Sequence, residues 1–177
     1  MTPEQLLLQF ANQLERAHLE VGLILLVGLS ISLSQVFALL ANRMTPRQVA
    51  VQLVLTALLL ALALLIVSLV DMLLLAAFGS RPVAPSAFIG HLGSALVPGL
   101  FYVFAAAPFI GDLIAVTIWA LIQLNVVLLL HGLFAVPYRE ALLLATPGYV
   151  LGLVVVAILF GQSWHAGYRR LVDGLDG

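Results

Sequence analysis

From Val49 to Phe78 the chain runs for about 30 residues with a single charged side chain, Asp71. As a helix that run is about 45 Å long, against a hydrocarbon core of about 30 Å. It must tilt, protrude or kink if it lies in a bilayer. An apolar run of this length has few other destinations, because in lipid the backbone N–H and C=O groups have to be satisfied within the segment itself.

The rest of the sequence agrees with that setting. Hydrophobic residues make up 63% of 177 and charged residues 8%, where a soluble domain carries roughly 25% charged residues. Mean hydropathy is +1.19. The fold class expected is therefore all-α, a polytopic helical membrane protein whose first partner is the lipid bilayer. Further runs extend from Val21 to about Leu40, Leu92 to about Ala107, Leu113 to about Ala135 and Ala141 to about residue 163. With the long run they make five expected spans. The third is short and contains Pro98 and Gly99, so a re-entrant path leaving four spans is the alternative.

Helix starts are written twice. "MTPEQ" and "MTPRQ" each place Thr (Thr2, Thr45) before Pro (Pro3, Pro46), with Gln (Gln5, Gln48) three residues after the Thr. This is a capping box followed by proline at the first helical position. The helix started by Thr2, over about residues 1–18, carries Leu7, Phe10, Leu14 and His18 on one side and Glu4, Gln9, Glu15 and Arg16 on the other. It reads as an amphipathic interfacial helix. After the last span, Trp164, Tyr168, Arg169 and Arg170 read as an interfacial anchor, and "DGLDG" as a mobile tail over the end of 165–177.

The composition also excludes functions. The seven basic residues are all Arg and net charge is -1, so no basic stripe exists for nucleic acid. Without cysteine there are no disulfides and no thiolate chemistry. His18, His91, His131 and His165 show no ligand spacing, and Ser94 sits in "LGSAL" rather than G-x-S-x-G. No metal, no cofactor and no enzymatic activity are expected.

Polar residues within the apolar runs are the remaining candidates. Asp112, after Pro108 and Gly111, reads as the N-cap of the fourth span, with Gly111 in a left-handed turn. Asp71 reads as an interfacial carboxylate at the far end of its span, within reach of Arg81; a deeper position would bury it and require a partner. Gln123, Asn125 and His131 lie on different sides of the fourth span and read as separate interhelical hydrogen bonds. Close helix packing is expected at Gly148 and Gly152, Ser30 and Ser34, and Ala57 and Ala61, each a small pair four residues apart.

The stretch from about Phe88 to Leu151, with "FIGHLGSAL", "AAPFIGDLIAVTIWALIQL" and "LLLHGLFAVPYREALLLATP", resembles the Yip1 family of multi-span membrane proteins. The resemblance implies a five-span, non-catalytic protein linked in eukaryotic relatives to vesicle trafficking, small GTPases and membrane shaping. The long N-terminal extension of those relatives has no counterpart in this sequence, so GTPase binding is not carried over. It also implies a cytoplasmic N-terminus. Counting Arg43, Arg47, Arg169 and Arg170 on one side against Arg16, Arg81 and Arg139 on the other points weakly the opposite way. Together the residues favour a scaffold, assembly factor or accessory subunit whose partners are other membrane proteins or further copies of itself. The alternative is a small-solute or ion transporter.

Overall fold

The structure is a computed structural model that describes residues 21–78, 85–107 and 109–173. The expected helix over residues 1–18, the Thr2 cap, Arg81, the side chains from Trp164 to Arg170 and the final "GLDG" lie outside it. Among the described residues the chain is helical throughout, with no strand: α1 (Val21–Leu33), α2 (Val36–Ala41), α3 (Pro46–Phe78), α4 (Pro85–Ala95), a 3-10 helix (Val97–Ala106), α5 (Gly111–Phe134) and α6 (Tyr138–Asp173).

Three of these are long and apolar enough to cross a membrane: α3, α5 and the Tyr138–Gly161 part of α6. The other two expected runs are interrupted. The run from Val21 breaks at Ser34 and Gln35, where the Ser34 hydroxyl donates to the Ile31 carbonyl at 2.7 Å and the Gln35 N–H donates to the Ser32 carbonyl. Serine side chains compete with the backbone for such acceptors, which is what ends α1 there. In the third run, Pro98 stands in the first turn of the 3-10 helix. It has no N–H with which to continue α4, and the chain tightens to the 3-10 geometry.

The start of α3 carries the capping box legible in "TPRQ". The Thr45 N–H donates to Gln48 Oε1 at 2.9 Å, and the Gln48 N–H donates to Thr45 Oγ1 at 3.4 Å. At the end of α5, Ala135 takes the left-handed conformation (φ 52) and its N–H returns to the Leu130 carbonyl, which closes the helix and turns the chain into α6.

Neighbouring elements run antiparallel. Tyr102 lies beside Trp119, Gly99 beside Ile122, Ala95 beside Asn125 and Phe88 beside Phe134, so α4 and the 3-10 helix together track α5 along its length. Between α3 and α6, Asp71 meets Gly148 and Val67 meets Gly152. Between α1 and α3, Gly28 meets Ala57 and Ala61, and the Ser32 hydroxyl donates to the Leu53 carbonyl at 2.7 Å. The Ala57/Ala61 pair thus receives a glycine of α1. A Cβ on Gly28 would lie 2.7 Å from the Ala57 carbonyl oxygen, too close for any other residue.

The core between these elements is apolar, with Ile24, Val27, Ile31, Leu60, Phe88 and Leu130 almost fully enclosed. Outward faces carry Leu58, Leu62, Leu69 and Leu73 on α3 and Leu113, Val116 and Leu124 on α5. Such exposure is an error in water and ordinary in lipid.

Gly28→Leu should therefore separate α1 from α3 and lower the thermal midpoint of the detergent-purified protein. Gly22→Leu, at a position with nothing within 4 Å of the added Cβ, should leave it within a degree or so of the parent on the scale of a negligible surface change.

Candidate functional site around Asp71

α3 buries one stripe, and Ala57, Ala61, Leu64, Ser68, Asp71 and Leu75 all lie on it. These residues recur at three- and four-residue steps, so they share a helix face. Asp71 is in phase with that face, and this decides its environment more than its distance along the helix. It is 4% exposed and turned into the bundle. Asp71 is thus buried, as in the alternative expectation, and Arg81, its expected partner, lies outside the described residues. α3 continues for two further turns to Phe78, about 10 Å beyond Asp71, and α6 covers the carboxylate from the other side.

The covering residue is Gly148. A Cβ built there would overlap the Asp71 carboxylate, and the Gly148 backbone amide faces it. Pro147 immediately precedes this glycine inside α6. Asp71 Oδ1 is buried without a hydrogen-bond partner among the described residues. A buried carboxylate oxygen left in that condition is costly and requires a proton or a counter-charge.

Asp71 lines a crevice between α3, α4, α5 and α6, open at one side and with room at its floor for little more than a water-sized group. Ser68 and Gln123 are its other polar side chains apart from the phenol of Tyr149 and the indole of Trp119. The Ser68 hydroxyl donates to the Leu64 carbonyl at 2.5 Å, which leaves its oxygen lone pairs for an incoming donor. Trp119 packs edge-on between Tyr102 and Tyr149, with ring centroids 6.4 and 6.2 Å apart. The remaining walls are aliphatic, among them Leu64, Leu92 and Ile122.

Other sequence candidates are placed elsewhere. The Asn125 amide donates to the Ala95 carbonyl at 3.3 Å, tying α5 to the end of α4. His131 Nδ1 lies 2.8 Å from the Val136 carbonyl oxygen and its ring stacks on Tyr138 at 3.7 Å, so it closes the α5–α6 turn. Asp112 is exposed and makes no side-chain cap; Ile110 occupies the cap position and Asp112 lies in the first turn of α5, near the positive end of the helix. Gly111 is not left-handed. That conformation belongs to Phe109 (φ 69), and glycine is needed at 111 because the Ala105 carbonyl lies where a Cβ would stand.

The small pairs also divide. Gly148 faces Asp71, and Gly152 faces Trp119 and Val67 at ordinary contact distances of 3.7 and 3.8 Å. Ser30 and Ser34 do not form one packing face. Ser30 Oγ donates to the Leu100 carbonyl at 2.7 Å and accepts from the Val103 N–H at 3.0 Å, while Ser34 bonds within its own turn. Ser32, not singled out by the four-residue spacing, is the one that reaches α3.

Among the described residues no three His, Cys, Asp or Glu side chains converge on a point. The described residues form a helical bundle, three of whose helices are long and apolar enough to cross a membrane, with one buried carboxylate among them. No known protein family, curated protein or solved structure matches this chain.

Gly148→Ala should destabilise the protein by about 1–3 kcal/mol through overpacking against Asp71, read as a lower thermal midpoint in detergent. Gly152→Ala should be tolerated. The Gly148→Ala loss should shrink in the Asp71→Ala background, because the two side chains then no longer compete for one space.

Proposed function

We propose that this protein is a five-span, non-catalytic membrane protein that serves as a scaffold, assembly factor or accessory subunit of a membrane complex, or in membrane organisation as Yip1-like proteins do. The observation that carries this reading is the use made of the polar groups within the apolar segments. Ser30, Ser32, Asn125 and His131 are each engaged with backbone groups of a neighbouring element or turn. Polar groups bound in this way fix helices to one another and do not line a path.

The five-span count is supported by a match of lengths. α4 and the 3-10 helix, at their different rises, together extend about 36 Å, as does α5. A shallow re-entrant segment would not follow α5 from Phe134 back to its first turns. On the same reading α1 and α2 form the first span, broken at Ser34. Lateral partners have the Leu58, Leu62, Leu69 and Leu73 stripe of α3 available to them. Transport remains as a second reading because of Asp71, which is not engaged as the other polar groups are.

The test is purification of the tagged chain at native expression level in a gentle detergent, with quantitation of what accompanies it. A defined membrane protein at constant stoichiometry, lost when Leu62→Trp and Leu69→Trp are combined in a chain that keeps its thermal midpoint, is the expected result. A lone, monodisperse chain with the same profile before and after the change would sink the scaffold reading and leave transport.

A further inference from the structure

Among the described residues Asp71 is the one buried carboxylate, and its crevice has a defined chemistry. Its oxygen Oδ1 is buried and unpartnered. Ser68, one turn earlier on α3, gives its hydrogen to Leu64 and so presents only lone pairs to the crevice. Gln123 lines the crevice from α5, and its amide carries a carbonyl oxygen able to accept. No Arg, Lys or His is among the residues lining the crevice. The Gly148 backbone amide faces the carboxylate and the Tyr149 phenol also lines the crevice, but neither carries charge, so the site holds one negative charge and no counter-charge.

We infer that the crevice between α3 and α5 is a binding site for a small monovalent cation, held by Asp71 with Ser68 and Gln123 as neutral oxygen ligands. Charge decides the valence. One cation of charge +1 leaves the site neutral in a low-dielectric interior, whereas a divalent ion would leave an uncompensated positive charge at high cost. Chemistry decides the type. Oxygen ligands without imidazole or thiolate suit hard ions such as sodium or potassium, or the N–H donors of ammonium, and not transition metals. Size follows from the walls, since Leu64, Leu92 and Ile122 enclose the site and the Trp119 ring closes one side, which leaves no room for a quaternary ammonium such as choline. The inference does not depend on the scaffold reading: a bound ion would hold α3, α5 and α6 together in a subunit as well as in a transporter.

The full chain in detergent, with Trp164→Phe so that Trp119 is the sole tryptophan, is titrated with sodium, potassium or ammonium chloride at fixed pH, choline chloride keeping ionic strength constant. The expected result is a saturable change in Trp119 fluorescence with a matching rise in thermal midpoint for at least one of the three ions and none for choline. The responding ion distinguishes an alkali metal from ammonium. Asp71→Asn, near-isosteric with the parent, should weaken the apparent affinity by about tenfold or more, as for loss of a charged partner, and Ser68→Ala or Gln123→Leu by about threefold, within the modest net range of a neutral one. Asp112→Asn, on the exposed first turn of α5, should change nothing. An absent or unsaturable response overturns the proposal, as does a response equal in Asp71→Asn. A response to pH alone, with none to any cation, also overturns it and assigns the carboxylate a proton. Should Asp71→Asn fail to fold, unchanged affinity in both Ser68→Ala and Gln123→Leu is sufficient to reject the site.

Discussion

The hydroxyl of Ser30 bridges the Leu100 carbonyl and the Val103 N–H, and the architecture turns on that contact. In an apolar surrounding, backbone groups outside regular α-helix need partners from elsewhere in the protein. A 3-10 helix of ten residues is longer than the three or four usual for this form, whose hydrogen bonds are geometrically poorer. Ser30 supplies a donor and an acceptor from α1 at its middle. α1 is held at that depth in turn by Gly28, which sits on the backbone of α3 at Ala57 and Ala61. The three elements are therefore interdependent. Loss of the close approach at Gly28 would withdraw Ser30, and the 3-10 helix would be left with unsupported peptide groups.

The second half of the bundle is organised around a different close approach. At Gly148 a missing side chain makes room for a carboxylate, and Pro147 beside it loosens the hydrogen-bond ladder of α6 at the same level. Trp119, gripped by two tyrosines, forms the opposite wall. One glycine thus admits a backbone and the other admits a charge. The first serves assembly of the fold, and the second creates the interior site on which the functional alternatives diverge.

The parts legible in the sequence were those governed by composition and local chemistry. The long apolar run of α3, the Thr45–Gln48 capping box and the break between the runs of α5 and α6 follow from length, spacing and capping rules that act within a few residues. Pro98 marks a break that the sequence shows, though not the 3-10 form that follows it, and the interruption at Ser34 was harder to place, because an apolar run gives no sign of where a helix changes form inside it. For Asp71, counting along the helix from Val49 speaks only to depth, whereas its phase with Ala57, Ala61, Leu64 and Ser68 is what sets it on the buried face. Its pairing with Gly148 joins residues far apart in sequence, and spacing within either segment carries no information on it. The same holds for Ser32, whose partner on α3 lies beyond any local pattern.

α3 at 33 residues and α5 at 24 stand side by side in one molecule, and as helices they measure about 50 and 36 Å. In a bilayer the two lengths have to be reconciled, by tilt of α3 or by a change in local thickness. Acyl chains touching the outward leucines of α3 are asked to stretch, or α3 to lean, while those touching α5 sit near their relaxed length. A bundle with helices this unequal presents an uneven circumference to a bilayer, a mismatch of the kind that sorts proteins among membranes of different thickness.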